Sequence, residues 1–248
     1  MINLLKFEFR KLFRQKSFYV CGAVMLAMSL IGLMISKALA QNEQLEIAMP
    51  TAMSSLLTAV SSSNFTMVSG IFVALFVCAD YDQQTIKNVY ARGFSRNTVY
   101  FAKLVASVVA VLVMFAATLL FTYAVGGAMF DGTAESGNYA ALIAGQLLYC
   151  IAYAAFVFAV GIAVKRVGVS IALAILGPSL IGTALSLVDA VLKIDGFKMS
   201  SYWLDGFLND LSSLSTASSR LAVCVVLTAV YAAAFVAVGC FINKRQEN

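Results

Sequence analysis

Residues 80–103 read D-Y-D-Q-Q-T-I-K-N-V-Y-A-R-G-F-S-R-N-T-V-Y-F-A-K. They form the longest polar break in the first two-thirds of an otherwise apolar chain, and they carry Lys87, Arg92, Arg96 and Lys103. The stretch has helix signals of its own. Asp80 and Asp82 are expected to open a helix, because carboxylates suit the positive helix end and its free N–H groups. Ile86, Val89 and Tyr90 then share one face at i, i+3, i+4, with Lys87 and Arg92 toward the negative end. Gly93 is a natural stop, and Ser95 can cap the helix that follows. The expectation is a short transverse helix over 82–92, joining two membrane helices. Its apolar triplet, rimmed by charge, is expected to dock a soluble partner. The alternative is that the triplet packs back onto this chain, leaving Lys87 and Arg92 to make the contact.

The surrounding composition requires lipid. The chain has 248 residues, is 61% hydrophobic and 12% charged, and has a mean hydropathy of +0.89. A soluble domain carries about 25% charged residues, so this chain cannot cover a globule. It has no histidine, which removes the commonest general base and metal ligand. Cys21, Cys78, Cys150, Cys224 and Cys240 lie in apolar runs without C-x-x-C spacing, as small buried hydrophobes do. No metal, cofactor or nucleic acid is expected on this chain.

A single all-α transmembrane domain is expected over 1–248. Residues 1–17 form an amphipathic interfacial helix, with Ile2, Leu5, Phe9, Leu12 and Phe13 on one face and Lys6, Arg10, Lys11 and Arg14 on the other. Leu4 and Phe7 fall on the polar side and are candidates to touch a partner. Six spans are expected at 18–40, 54–79, 99–128, 139–164, 169–192 and 220–242, each near the ~20 residues needed to cross. The first is longer than the ~7–15 apolar residues of a signal peptide and is expected to stay uncleaved. Pro178 should kink the fifth. Between the fifth and sixth, Tyr202, Trp203, Leu204, Phe207, Leu208 and Leu211 suit short helices in the outer interface, with the two aromatics at head-group level.

Charge sets the orientation. Thirteen of the seventeen Lys and Arg fall at one end of the expected spans. The opposite loops hold eight of the acids, among them Glu43, Glu46, Asp131, Glu135 and Asp195. Positive loops stay inside, so both termini and the 80–103 loop are expected in the cytosol.

An N-terminal basic amphipathic helix, six spans and a loop with Thr85-Ile86-Lys87, Gly93, Ser95-Arg96 and Lys103 after the second span resemble the ABC-2 type permeases of bacterial ABC exporters. Family members often have Gly before Thr-Ile-Lys; here Gln84 stands there. The resemblance implies that Asp80, Asp82, Ile86, Lys87, Val89, Tyr90 and Arg92 belong to a coupling helix seated on an ATP-binding subunit. It implies that Leu4, Phe7, Arg10, Lys11 and Arg14 flank the same subunit. It also implies a second permease chain, identical or paralogous, and cargo from drugs and lipids to toxin or antimicrobial peptides. The chain has no G-x-x-x-x-G-K-[ST] phosphate cradle. ATP and Mg²⁺ are therefore expected on the partner, in a bacterial cell membrane.

Two rivals are weaker. An ion-coupled carrier places ionisable residues near mid-membrane, and here Lys37 and Asp189 lie near outer ends. Tyr81-Asp82 occurs in intramembrane aspartyl proteases, but the partner Gly-x-Gly-Asp is absent. Asn64, Thr66, Thr122 and Gln146, polar residues within apolar runs, are the candidates for a substrate path, with Phe and Met lining it. Few charges and much apolar wall suit an amphipathic peptide or hydrophobic compound.

Overall fold

The computed structural model describes residues 2–41, 51–61, 63–91, 93–130, 139–192, 198–212 and 218–245. The helices are α1 (Ile2–Arg14), α2 (Lys16–Ala40), α3 (Ala52–Ser61), α4 (Ser63–Asp82), α5 (Ile86–Ala91), α6 (Arg96–Met129), α7 (Tyr139–Val164), α8 (Val167–Leu192), α9 (Leu204–Ser212) and α10 (Ser218–Arg245). A 3₁₀ turn at Met199–Tyr202 precedes α9. No strand occurs among the described residues. Six helices, α2, α4, α6, α7, α8 and α10, are long and apolar enough to cross a membrane. The chain is an all-α polytopic membrane protein.

The described residues of the stretch expected as one span at 54–79 belong to α3 and α4. α3 ends at Ser61 and a separate α4 begins at Ser63. α3 packs on α6 and α9, while α4 packs on α7 and α8. α4 and α7 are the most buried spans; α2, α8 and α10 form the periphery. Phe72, Phe76, Tyr149 and Phe158 fill the centre.

α8 continues through Pro178. Proline has no N–H to give the carbonyl four residues back, and Tyr153 of α7 donates its hydroxyl to that carbonyl, Ala174 O, at 2.9 Å. Tyr153 can reach it because Gly70 of α4 leaves room: a Cβ there would lie 2.5 Å from the phenol oxygen. The Pro178 carbonyl in turn accepts from Trp203 Nε1 at 2.8 Å. Trp203 thus reaches the middle of α8 instead of resting at head-group level. Leu204, Phe207, Leu208 and Leu211 are all buried, so α9 enters the bundle between α3, α7 and α8. Asp189 fixes its approach by accepting from the N–H groups of Met199 and Ser200, both at 2.8 Å. Phe197 and Asp195 lie outside the described residues, as do the acids of 42–50 and 131–138.

Tyr153→Phe is expected to cost about 0.6–2 kcal/mol, the range for a hydrogen bond between membrane helices. In a Pro178→Ala background the cost should shrink, because residue 178 regains the N–H. Unfolding in mixed detergent–SDS micelles measures both; equal losses in the two backgrounds would overturn the assignment.

Candidate functional site

The basic end of the bundle is organised by Asp80. α4 runs on to Asp82, so Asp80 and Asp82 close a span and do not open the transverse helix. Each carboxylate has a different task from the one expected. Asp80 accepts from the ammonium groups of both Lys11 and Lys103, and Thr85 Oγ1 donates to its Oδ1 at 3.2 Å. Lys103 Nζ also lies 3.5 Å from Glu8 Oε1, and both side chains are 1% exposed. Phe76 completes the cluster, its ring centroid 5.6 Å from Lys11 Nζ and 5.7 Å from Lys103 Nζ. Two cations and two anions balance, which makes burial tolerable. Burial, and next the charge of Lys103, holds the Lys11 pKa below the usual lysine value despite Asp80 and Glu8. Asp82 does serve a helix N-terminus, but that of α8: its Oδ2 accepts from Val167 N at 3.2 Å.

The transverse helix is shorter than expected. It begins at Ile86, after a turn in which Gln84 has φ 54°. That is the left-handed region where a Cβ is unfavourable and glycine is at ease, which gives the physical reason for glycine ahead of Thr-Ile-Lys. Gly93 follows α5 at φ 82°, and Ser95 caps α6 by accepting from Thr98 N at 3.3 Å. The apolar triplet faces inward. Ile86 is buried, and Val89 and Tyr90 pack with Leu5 and Phe94 against Leu4, Val99 and Ala102. Leu4, expected to touch a partner, is therefore consumed in holding α1, α5 and α6 together. The exposed side presents Lys87 from α5, and Lys6, Phe7, Arg10 and Arg14 from α1, with Phe7 48% exposed. Arg92 lies outside the described residues.

An amphipathic basic helix, six spans and a helical element clamped beside it at the basic end are now in place, and the family model for ABC-2 family transporter proteins matches residues 4–180. The chain belongs to this family. No curated protein matches it. It is the transmembrane permease component of an ABC transporter, associates with an ABC ATP-binding subunit, and leaves ATP hydrolysis to that separate subunit.

The expected path residues of this ABC-2 permease do not converge. Asn64 is exposed and lines a groove of about 260 Å³ between α2, α3, α4 and α6, with Met25, Met28, Ser29, Thr58 and Thr118. Thr66 is half-buried outside that lining, its carbonyl accepting from Ser69 Oγ at 3.0 Å. Thr122 is fully buried, its hydroxyl without a hydrogen-bond partner. Gln146 is fully buried and serves as a tie: its Nε2 donates to Leu57 O at 2.9 Å and Leu211 O at 3.1 Å, joining α3, α7 and α9. Sequence reasoning passed over Glu8, and it named Lys103 as a loop cation and in the family resemblance without a role in an ion cluster. Their signals were an acid alone within a basic amphipathic helix and a cation inside the third apolar run.

Lys103→Met is expected to destabilise the permease by about 3–5 kcal/mol, because it leaves buried carboxylates uncompensated. Adding Glu8→Gln, which restores the charge balance, should recover part of the loss. Circular dichroism during SDS titration compares the variants. A double variant less stable than Lys103→Met would exclude charge balance as the cause.

Proposed function

We propose that the permease is an exporter for amphipathic peptides, of the toxin or antimicrobial kind, in a bacterial cell membrane. The observation that carries this reading is the Asn64 groove. Its wall alternates thioether and apolar carbons from Met25, Met28 and Leu33 with hydroxyls and an amide from Ser29, Ser36, Ser54, Thr58 and Asn64. Such a surface suits cargo with one greasy and one polar side. Among the described residues the fully buried charged side chains are Glu8 and Lys103, both at the basic end. An ion-coupled carrier would instead place such groups at mid-span. A hydrophobic drug or lipid is the second reading, favoured by the many exposed apolar side chains along α2, among them Met28, Ile31, Met34 and Ile35.

In this reading the basic end faces the cytosol, as the concentration of Lys and Arg there favours, and both termini lie inside. α5 is the coupling helix. Its contact with the ATP-binding subunit is made by Lys87 together with Phe7, Arg10 and Arg14 of α1, because the Ile86–Val89–Tyr90 face is occupied within the chain. ATP and Mg²⁺ act on that subunit. A second permease chain, identical or paralogous, completes the pathway along the exposed side of α2. Motion of the subunit would pass from α5 into α4 and α6 through the turn at Gln84 and the Asp80 cluster.

Lys87→Glu with Phe7→Asp is expected to reduce co-purification of the ATP-binding subunit by about tenfold or more, as loss of about 1.4 kcal/mol of interface energy would, while the permease stays monodisperse. ATP-dependent efflux of an amphipathic peptide from inverted vesicles should fall in parallel. An intact complex with unchanged transport would refute the docking surface. Intact ATP-dependent efflux of a drug or lipid, with none of any peptide, would transfer the cargo to the second reading.

A further inference from the structure

A second site lies at the basic end, beside α5. A cleft of about 440 Å³ opens between the end of α4, α5, the start of α6, the α7–α8 turn and the end of α10. Lys87, Arg96 and Lys165 line it, and among the described residues no carboxylate does. Lys165 is held there by its left-handed backbone, φ 57°, and by the Tyr81 ring, 5.6 Å from its Nζ. The Arg96 guanidinium lies 5.5 Å from the Tyr90 ring. A cluster of surface cations alone would mean little. Asn243 of α10 makes it a built site: it is 6% exposed, lines the cleft, and its Nδ2 has no hydrogen-bond acceptor among the described residues. An unmet buried amide N–H is costly, a cost that an acceptor entering from outside removes.

The helices around the cleft show what accompanies the acceptor. Val236, Cys240 and Asn243 share one face of α10 at i, i+4, i+7. Val236 and Cys240 line an apolar groove of about 640 Å³ together with Phe101, Leu104 and Val105 of α6. Phe101 lies five residues beyond Arg96, ~7.5 Å further along the same helix. An anion-seeking cleft at the end of the bundle therefore stands beside a hydrocarbon-lined groove on the same two helices. We propose that the cleft binds the phosphate of an anionic phospholipid, with an acyl chain of the same molecule along the α6–α10 groove. A zwitterionic head group would bring its ammonium among three cations and is disfavoured. The site shares Lys87 with the proposed docking face but is separate from the cargo groove, so it does not depend on what the permease transports.

Native mass spectrometry of the full-length chain, in detergent with phosphatidylglycerol and phosphatidylcholine of matched acyl chains, tests the site. Retention of phosphatidylglycerol is expected to exceed that of phosphatidylcholine about tenfold. Asn243→Leu and Lys165→Gln should each remove most of that preference, the loss of one hydrogen bond to a charged group being worth about tenfold. Lys165→Gln, at a surface turn, carries the test if Asn243→Leu misfolds. Equal retention of the two lipids, or an unchanged preference in Lys165→Gln, would overturn the proposal. Displacement of the lipid by millimolar glycerol 3-phosphate would reassign the cleft to a soluble phosphate. Displacement by added ATP-binding subunit would reassign it to an acidic segment of that protein.

Discussion

Asp80 is shared between two ammonium groups from different parts of the chain, and the basic end of the permease is arranged around that sharing. Lys11 comes from the interfacial helix, Lys103 from two turns into the third membrane-spanning helix, and Glu8 closes the set from below. Charges this deep are stable only in balance, because removing any one leaves its partners unpaired in a poor solvent for ions. The cluster therefore fixes where α1 lies against α6 and where α4 ends. It also forces the chain to leave α4 through a tight turn, with Gln84 in the left-handed region, before α5 can begin. The inward packing of Ile86, Val89 and Tyr90 follows, since α5 starts beside a surface already supplied with Leu4, Val99 and Ala102.

The two ends of the bundle are built differently. The opposite end is plugged by α9, with Gln146 tying three helices and Trp203 and Tyr153 supplying hydrogen bonds around Pro178. Each of these bonds serves a backbone carbonyl in surroundings without water, where an unmet polar group is costly. The basic end carries charge, a short clamped helix and an open polar cleft. A transporter driven from one side has a physical reason for such a division. In the proposed reading, a force applied to α5 would reach α1, α4 and α6 through ion pairs and packed side chains, while the opposite end stays braced. In the proposed orientation, force from the ATP-binding subunit enters at this charged end.

Much of this was legible along the chain, and where it failed the cause is specific. Gly93 and Ser95 act as stop and cap because their signals are local: a positive φ and a hydroxyl beside a free N–H. Asp80 and Asp82 were misassigned because a carboxylate preceding a helical run is equally suited to cap that helix, to cap another, or to pair with distant lysines. Only the fold decides among these. Leu4 fell on the polar face of an ideal amphipathic wheel, yet α1 has a second apolar neighbour in α5, and no wheel of one helix shows that. Gln146 and Thr122 resemble path residues because any polar residue in an apolar run does. Gln146 is held against α3 and α9 by bonds to residues 89 and 65 positions away in sequence.

By itself the sequence determined that this protein lives in lipid, crosses it six times and gathers its cations at one end. Those properties are sums over local composition, and hydropathy, length and charge are additive along a chain. The tertiary structure alone decided which side of α5 is left exposed, which polar side chains are consumed in holding helices together, and that Glu8, Lys11, Asp80 and Lys103 form one cluster. Pairing between buried charges depends on distance in space and on the absence of water, and neither is written in the order of residues.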